Sequence, residues 1–188
     1  MARRAQFLSS WLLLLACSHQ PAVIPSLLVT LGDTALQQRE GRLYYQQKVF
    51  SGWTIARYPS GDTASLIPYL NGREEGWSQE WYEGKKLQSK RFYKAGHKEG
   101  LHQGWWEEGK PKFNYHFENG DYEGEVSEWY RTGQLAKRFH YTKGQENGRQ
   151  QLWWEDGKLR ANYIVKEGQQ FGLIGRKLCR NTLDEKTN

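Results

Sequence analysis

Cysteine is scarce in this chain of 188 residues, which contains Cys17 and Cys179 and no others. We predict below that Cys17 carries a lipid, which would leave Cys179 without an intramolecular partner. We therefore expect no disulfide bond to frame the fold. A nucleophilic or redox role for Cys179 would need a basic neighbourhood. Arg176, Lys177 and Arg180 are close in sequence, but no histidine is, so we interpret Cys179 as a small apolar residue of the C-terminal cap.

Long hydrophobic runs are also lacking. Residues 7–16 form a short apolar stretch behind Arg3 and Arg4, and this arrangement predicts an export signal over residues 1–17. The stretch is too short to cross a bilayer, which needs roughly 20 residues.

The end of the predicted signal, Leu14-Leu15-Ala16-Cys17, resembles a bacterial lipobox. In such signals the cysteine becomes the lipidated first residue of the mature protein, and the absence of Asp after it, where this chain has Ser18, implies the outer membrane. The resemblance therefore implies lipid attachment at Cys17 and a location on the cell envelope, facing the periplasm. The alternative is a simple secretory signal that is cleaved near Cys17.

A strong charge of one sign is absent. The formal net charge is +6, and it is +4 without the two arginines of the predicted leader. A surplus of this size suits an acidic partner or an anionic lipid, and it equally suits an ordinary soluble surface. Aromatic residues make up 14% of the chain, with nine Trp and eleven Tyr. Disordered chains are poor in aromatics, so we expect a folded protein whose core is built from rings.

Catalytic and metal-binding constellations are not evident. His116 and His140 share one position of the sequence repeat described below, but no Cys, Asp or Glu shares it, so we expect them to be structural. Glu83, Glu107 and Glu155 share another position beside a turn, where solvated carboxylates are expected. No glycine-rich loop that would cradle a phosphate is present. We predict no enzymatic activity, no catalytic residue, no metal and no cofactor.

What is present is a glycine that recurs at a constant interval, as Gly52, Gly76, Gly100, Gly124, Gly148 and Gly172. Further glycines recur twenty positions behind these, for example Gly72, Gly96 and Gly120. Such self-similarity predicts a repeat array, which builds an extended surface rather than a buried pocket.

Within each repeat we count positions from 0 at the first glycine to 23. Position 5 is Trp in four copies, and position 6 is aromatic in all five, namely Tyr58, Tyr82, Trp106, Tyr130 and Trp154. A turn such as Asp156-Gly157 follows, and then a second strand with aromatic residues at positions 15 and 17. No apolar spacing of three and four residues runs through the array, which counts against helices. The sequence therefore predicts an all-β fold, a single-layer antiparallel meander of repeated 24-residue β-hairpins with about ten strands of about seven residues.

A two-residue turn at positions 8 and 9 would pair position 6 with position 11. Positions 6, 11, 15 and 17 would then share a packed face, and positions 1 and 5 would lie on the other face. The candidate binding surface on that second face consists of Trp53, Trp77, Trp81, Trp105, Trp129 and Trp153. The alternative is that these Trp side chains only stiffen neighbouring strands.

The predicted organisation has four segments. Residues 1–17 are the signal, 18–35 a tether, 36–179 the repeat array and 180–188 a polar tail. Residues 43–50 would form the opening strand, and residues 172–179 the closing half-repeat, because arrays need capped ends.

The repeat pattern resembles the bacterial MORN-repeat variant family. Glu128-Trp129-Tyr130-Arg131-Thr132-Gly133-Gln134-Leu135 is the clearest copy, and the first repeat departs from it with Arg57 at position 5. The family includes proteins labelled YwqK-like antitoxins. The resemblance implies an antiparallel β-sheet repeat that binds proteins or membranes. Cell-wall choline-binding repeats, which hold a quaternary ammonium in aromatic cages, are a rival resemblance with a shorter period.

The expected function is that of a lipid-anchored, non-enzymatic binding or scaffold protein of the envelope, whose partner is a protein, for example a toxin, or a membrane surface. One alternative is an antitoxin or immunity protein that masks a toxin. Another is a binder of cell-wall glycan or of peripheral lipid. Aromatic strands with basic neighbours can also bind single-stranded nucleic acid, but the export signal argues against that partner.

Overall fold

The structure is a computed structural model that describes residues 23–174. The predicted signal (1–17), the lipid site at Cys17, Cys179 and the predicted tail (180–188) lie outside the described residues. Every element among residues 23–174 is a β-strand.

Five antiparallel hairpins, one for each repeat, form the body of the molecule. Their strands are β5 (Gly52–Arg57) with β6 (Thr63–Leu70), β8 (Gly76–Trp81) with β9 (Leu87–Lys94), β10 (His97–Trp105) with β11 (Pro111–Glu118), β13 (Gly124–Trp129) with β14 (Leu135–Thr142), and β16 (Gly148–Trp153) with β17 (Leu159–Lys166). Consecutive hairpins pair side by side, and β18 (Gln169–Leu173) pairs with β17 at the end of the sheet. The predicted all-β antiparallel meander is thus confirmed.

The remaining strands are short. β7 (Arg73–Glu74), β12 (Asp121–Tyr122) and β15 (Gln145–Glu146) extend the turns between hairpins, β1 (Leu28–Thr30) pairs with β5, and β2 (Leu36–Arg39), β3 (Arg42–Tyr45) and β4 (Lys48–Val49) form a separate small sheet.

The turn within each hairpin has three residues, so the predicted two-residue turn is wrong. In the fourth repeat the amide of Tyr130 donates to the carbonyl of Gln134 at 2.9 Å, and the amide of Gly133 donates back to Tyr130, also at 2.9 Å. Gly133 has a φ of +94°. A three-residue loop with a glycine in the left-handed region is a common hairpin connection, since glycine adopts positive φ without steric cost.

A bulge behind this turn changes the pairing of position 11. Trp129 pairs with Leu135, whereas Glu128 pairs with Lys137, so Ala136 is an extra residue on the second strand. Position 11 therefore shares a face with position 5, which corrects the predicted assignment of position 11 to the packed face. Positions 15 and 17 do lie opposite positions 1 and 5.

The glycine at position 0 marks a second irregularity, between hairpins. Asn114 pairs with Ser127, and the amide of Glu123 donates to the carbonyl of His116 at 3.0 Å. Three residues that begin with Gly124 therefore oppose one residue of the neighbouring strand. Gly124 has a φ of +72°, and the corresponding glycines also have positive φ. The constant glycine spacing follows from this bend, which most other residues would adopt only with strain.

The N-terminal end differs from the prediction. Part of the predicted tether, β1, is a strand parallel to β5, and its Val29 is buried. The predicted opening strand is instead split over the small sheet, which is joined to the main sheet by the amide of Leu43 donating to the carbonyl of Gly72 at 2.8 Å. Phe50 is 2% exposed and contacts the rings of Tyr45 and Tyr69. The small sheet thus covers the first repeat.

The two faces of the main sheet follow from the register. Face A carries positions 2, 4, 13, 15 and 17, and face B carries positions 1, 3, 5, 11, 14 and 16. Face A holds the main core cluster, which comprises Val126, Phe139, Ala161, Tyr163 and Val165. Burying these side chains stabilises the sheet by roughly 1.5–3 kcal/mol for each fully buried large apolar group.

Candidate binding surface

The six Trp residues of the predicted surface all lie at face B positions. The four at position 5 are half-buried, because each pairs across its hairpin with an apolar residue at position 11, namely Leu87, Pro111, Leu135 or Leu159. Trp53 is half-buried, and Trp77 is the most exposed of the six, at 43%. Each indole therefore packs on its own hairpin and also contacts solvent.

Aromatic and cationic groups meet on face B in the second repeat. The rings of Trp77 and Phe92 lie 5.1 Å apart in an edge-to-face arrangement. The ammonium of Lys90 lies 4.3 Å from the centroid of the Trp77 ring. A cation over an indole at this distance is attracted by the ring quadrupole, and the attraction contributes about 0.5–1 kcal/mol at an exposed site.

A row of carboxamide side chains crosses the middle of face B, at positions 3 and 14. Its half-buried members are Gln79, Gln103, Asn114, Gln151 and Asn162. Gln103 and Asn114 pair across one hairpin, and the Nε2 of Gln103 donates to the Oδ1 of Asn114 at 3.3 Å. The sequence pattern indicated the Trp row but not this row, although the amides recur at the same repeat positions.

Face B is also biased in charge. At positions 1, 3, 5, 11, 14 and 16 the face carries Arg57, Lys90, Arg138 and Arg149, and among the described residues at these positions Glu125 is the one carboxylate. The Oε1 of Glu125 lies 3.6 Å from the Nε of Arg138 and accepts from Ser127 at 2.7 Å. Both members of this ion pair are half-exposed, so solvent screens it. The face therefore carries net positive charge among polar amides and indoles.

Face A balances its charges within the sheet. Arg91 lies 3.3 Å from Glu80, and Lys137 lies 3.2 Å from Glu128. Glu128 also accepts from the hydroxyl of Tyr115 at 3.1 Å. Burial, aided by the negative charge of Glu128, raises the pKa of Tyr115, so its hydroxyl remains a hydrogen-bond donor at neutral pH. Face A is thus occupied by its own contacts.

Aromatic residues at position 6 join each hairpin to the next. Tyr58 donates to the carbonyl of Trp81 at 2.8 Å, and Tyr82 donates to that of Trp105 at 3.1 Å. The indole of Trp106 donates to Trp129 at 3.1 Å, and Tyr130 donates to Trp153 at 3.0 Å. The backbone of each of these position 5 Trp residues is therefore fixed by the hairpin before it. We call this series the position 6 ladder.

A second series of hydrogen bonds joins the repeats at the other end of the strands, in the turns between hairpins. The glycine amide at position 20 donates to a carbonyl of the preceding repeat, as Gly96 does to Glu74 at 2.8 Å and Gly144 does to Tyr122 at 2.9 Å. The preceding residue donates to a glutamate, as Lys143 does to Glu123 at 2.8 Å. Hydrogen bonds at both ends of the strands hold neighbouring repeats in one register. They therefore hold the Trp and amide rows in fixed positions.

The two histidines at position 16 lie on face B and are exposed. The Nδ1 of His116 lies 3.2 Å from the carbonyl of Glu123, and the Nδ1 of His140 lies 3.2 Å from that of Asn147. Each ring thus has a backbone partner. Residues 23–174 contain no cluster of three or more potential metal ligands, and none of their elements is a helix that could span a bilayer.

Comparison with known proteins agrees with the repeat geometry. The protein-family model described as MORN repeat variant matches residues 122–143. No curated protein matches the chain. The matched residues run from the last residue of β12 through β13 and β14, and the neighbouring hairpins repeat their register and their ladder bonds. The chain is therefore similar to the MORN repeat variant in its fourth repeat, and it repeats that unit on both sides.

Proposed function

We propose that this chain is a non-enzymatic binding or scaffold protein of the cell envelope. A lipid on Cys17 would anchor it to the outer membrane, and face B would contact a protein partner or a membrane surface. The observation that carries the proposal is the difference between the faces. Face A pairs its charges and packs its rings internally, whereas face B leaves indole edges, amides and cations in contact with solvent.

The regular ladders support a binding role. A partner that docks on a rigid surface does not have to order flexible side chains and loops, so less of the interaction energy is lost on association. The Trp backbones are fixed by the position 6 ladder, and the indoles pack against the apolar residues at position 11. Aromatic and arginine side chains are the types that contribute most energy at interfaces.

The similarity to the MORN repeat variant supports a binding role of this general kind. The antitoxin interpretation is a narrower form of the same proposal, in which face B would mask a toxin. It predicts that a toxin gene lies beside the gene for this chain and that the toxin is the captured partner.

An affinity capture from solubilised envelope tests the proposed function. We expect the lipidated chain to retain a partner, and we expect Trp77→Ala with Arg149→Gln to reduce the retained amount. Trp154→Ala is the matched control, because Trp154 is 50% exposed but lies at position 6. Equal capture by the wild type and the face B variant would contradict the proposal.

The anchor has its own test. Replacing Cys17 with Ser should move the protein from the membrane fraction to the soluble fraction. Unchanged membrane retention would refute lipid attachment at this residue.

A further inference from the structure

We propose that face B binds an extended acidic glycan, whose sugar rings lie against the Trp row and whose carboxylates meet the basic side chains. The inference depends on the proposed function in one respect, namely that face B is the binding surface. It adds the chemical class of the partner.

The spacing of the Trp row is the first argument. Each repeat contributes two strands to the sheet, and strands lie about 4.8 Å apart, so equivalent indoles recur about every 10 Å. This interval is comparable to the length of two sugar rings in an extended chain. The apolar faces of sugar rings pack on aromatic side chains. Every second sugar of the chain would therefore contact one indole of the row formed by Trp81, Trp105, Trp129 and Trp153.

The amide row is the second argument. Carboxamides both donate and accept hydrogen bonds, as sugar hydroxyls do, so the two groups are complementary. The hydrogen bond between Gln103 and Asn114 fixes the direction of both amides and leaves further donors and acceptors free to pair. The row runs beside the Trp row in the second, third and fifth repeats, and Ser127 and Arg138 take its positions in the fourth. One polymer along the face would contact both rows.

The density of positive charge is the third argument. Arg57, Lys90, Arg138 and Arg149 are spread over ten strands, which span about 50 Å at the usual strand spacing. Nucleic acid carries a phosphate every few ångströms, about 3.4 Å per strand in a duplex, and requires denser cations. A glycan with one carboxylate on every second sugar has a charge spacing much closer to that of face B.

The same features disfavour the other partners. An extended peptide is recognised mainly through backbone hydrogen bonds at a sheet edge, whereas the groups offered here lie on a sheet face. Docking face B on a bilayer would take the amide row out of water without giving it partners, which is unfavourable. A protein partner and a membrane nevertheless remain outcomes that the experiment distinguishes.

The experiment compares five probes with the full chain carrying Cys17→Ser, which has no lipid to insert into vesicles and is studied without detergent. They are hyaluronan oligosaccharides, which carry one carboxylate per two sugars, neutral cello-oligosaccharides of equal length, poly-glutamate, oligo-deoxythymidine and anionic phospholipid vesicles. We expect hyaluronan to bind best, at least about tenfold more tightly than the neutral oligosaccharide, and to be weakened by salt. Tighter binding of poly-glutamate, oligo-deoxythymidine or vesicles, or no binding of hyaluronan, would overturn the inference.

Two substitutions separate a glycan from a membrane. Gln79→Leu with Gln151→Leu should weaken hyaluronan binding by about tenfold, because hydrogen bonds to hydroxyls are lost. The same change should strengthen vesicle binding, because it makes face B more apolar. An unchanged hyaluronan affinity would contradict the inference. Circular dichroism shows whether the Gln variant stays folded. If it unfolds, Trp154→Ala provides the second measurement. This variant changes a residue outside face B and should keep full hyaluronan affinity.

Failure of the glycan inference is distinguishable from failure of the proposed function. If hyaluronan does not bind but the envelope capture still depends on Trp77 and Arg149, face B remains the binding surface and its partner is not an acidic glycan. If the capture is also unaffected by these residues, the proposed function fails as well.

Discussion

His102 and Gln150 occupy position 2 of two different repeats and make the same hydrogen bond with unlike side chains. The Nε2 of His102 lies 2.8 Å from the carbonyl of Phe92, and the Nε2 of Gln150 donates to the carbonyl of His140 at 2.9 Å. Both side chains are buried, and both acceptors are at position 16 of the preceding repeat. Since a carbonyl only accepts, the Nε2 of His102 must carry the proton. The side chain is a second donor to a carbonyl beside the bend at position 0, since the carbonyl of His140 also accepts from the amide of Asn147 at 2.9 Å.

The buried histidine predicts a pH dependence of stability. Burial is the largest influence on His102 and lowers its pKa. The hydrogen bond to the carbonyl of Phe92 opposes this shift, and the nearby cations Arg91 and Lys98 add to it. The unfolded chain therefore binds a proton more readily than the folded protein once the pH falls below about 6.5. We expect thermal stability to decrease between pH 7.5 and pH 5.5, as measured by the unfolding midpoint.

His102→Gln is the matched variant, since Gln already occupies this position in the fifth repeat. It should keep the hydrogen bond to Phe92 and reduce the decrease in the unfolding midpoint over the same pH range. The difference between variant and wild type isolates His102 from the other titrating groups. The same pH dependence in both proteins would contradict the assignment.

The position 6 ladder predicts that single hydroxyl groups stabilise the array. Tyr58→Phe and Tyr130→Phe each remove a donor to a Trp carbonyl and keep the ring. We expect each to lower the free energy of unfolding by about 1 kcal/mol. Tyr44→Phe in the small sheet is the control, because no hydrogen bond of its hydroxyl occurs among residues 23–174. Chemical denaturation measures the change, and a loss no larger than that of the control would contradict the ladder.

Replacing the glycine of the bend at position 0 should lower the free energy of unfolding through backbone conformation alone. Gly124 has a φ of +72°, and an added Cβ would meet no atom within 4 Å. Gly124→Ala should therefore destabilise the fold by about 1–2 kcal/mol, and Gly124→Asn by less, because Asn tolerates the left-handed region better. Equal stability of the Ala variant and the wild type would contradict the strain argument.

Gly104 provides a contrasting site. It does not have a positive φ, but a Cβ there would overlap the ring of Phe113. Gly104→Ala should thus be destabilising through a clash, and Gly104→Asn should be worse rather than better. The opposite order of Ala and Asn at the two glycines distinguishes backbone strain from crowding.

Much of this fold could be predicted from the period of the glycines. Glycine is needed wherever φ is positive, so a fixed bend and a fixed turn leave a fixed spacing in the sequence. The alternation of side chains along a strand then predicted that the aromatic positions 15 and 17 lie on the other face of the sheet from Trp at position 5, as they do in the structure. The bulge at position 12 could not be foreseen, because its residues, such as Ala136 and Lys112, have nothing in common.

The role of position 6 was missed for a related reason. A row of Tyr and Trp indicates packing, and sequence alone does not show that the polar atom of the ring bonds a neighbouring repeat. The amide row on face B has no strong propensity signal either, since Gln and Asn are ordinary surface residues. The N-terminal strand β1 and the small sheet lie outside the repeat, so the period carried no information about them.

A covarying pair predicts a coupling within the repeat. The ammonium of Lys112 lies 4.5 Å from the ring of Trp106, and the guanidinium of Arg160 lies 4.5 Å from that of Trp154. Where position 6 is Tyr, position 12 carries no cation, as in Tyr130 with Ala136. Lys112→Ala should lower the free energy of unfolding by about 0.5–1 kcal/mol.

The coupling is tested by making Lys112→Ala a second time, in a protein that already carries Trp106→Tyr. In this background Lys112→Ala should cost clearly less, because the repeat then has the combination found in the fourth copy. A double-mutant cycle measures the coupling. A cycle with no coupling energy would show that the cation lies over the ring without stabilising it.

Deletion of whole and partial repeats tests the central claim, that equivalent hairpins stack in one register to form the binding face. Gly100 and Gly124 begin consecutive repeats, so removing residues 100–123 should join equivalent positions and leave a shorter, cooperatively unfolding β-sheet. Removing residues 100–111, half of a repeat, should abolish cooperative unfolding, because strand order and faces no longer match. Circular dichroism during denaturation provides the measurement: a cooperative transition for the whole-repeat deletion alone is the predicted result, and equal loss of structure in both deletions would contradict it.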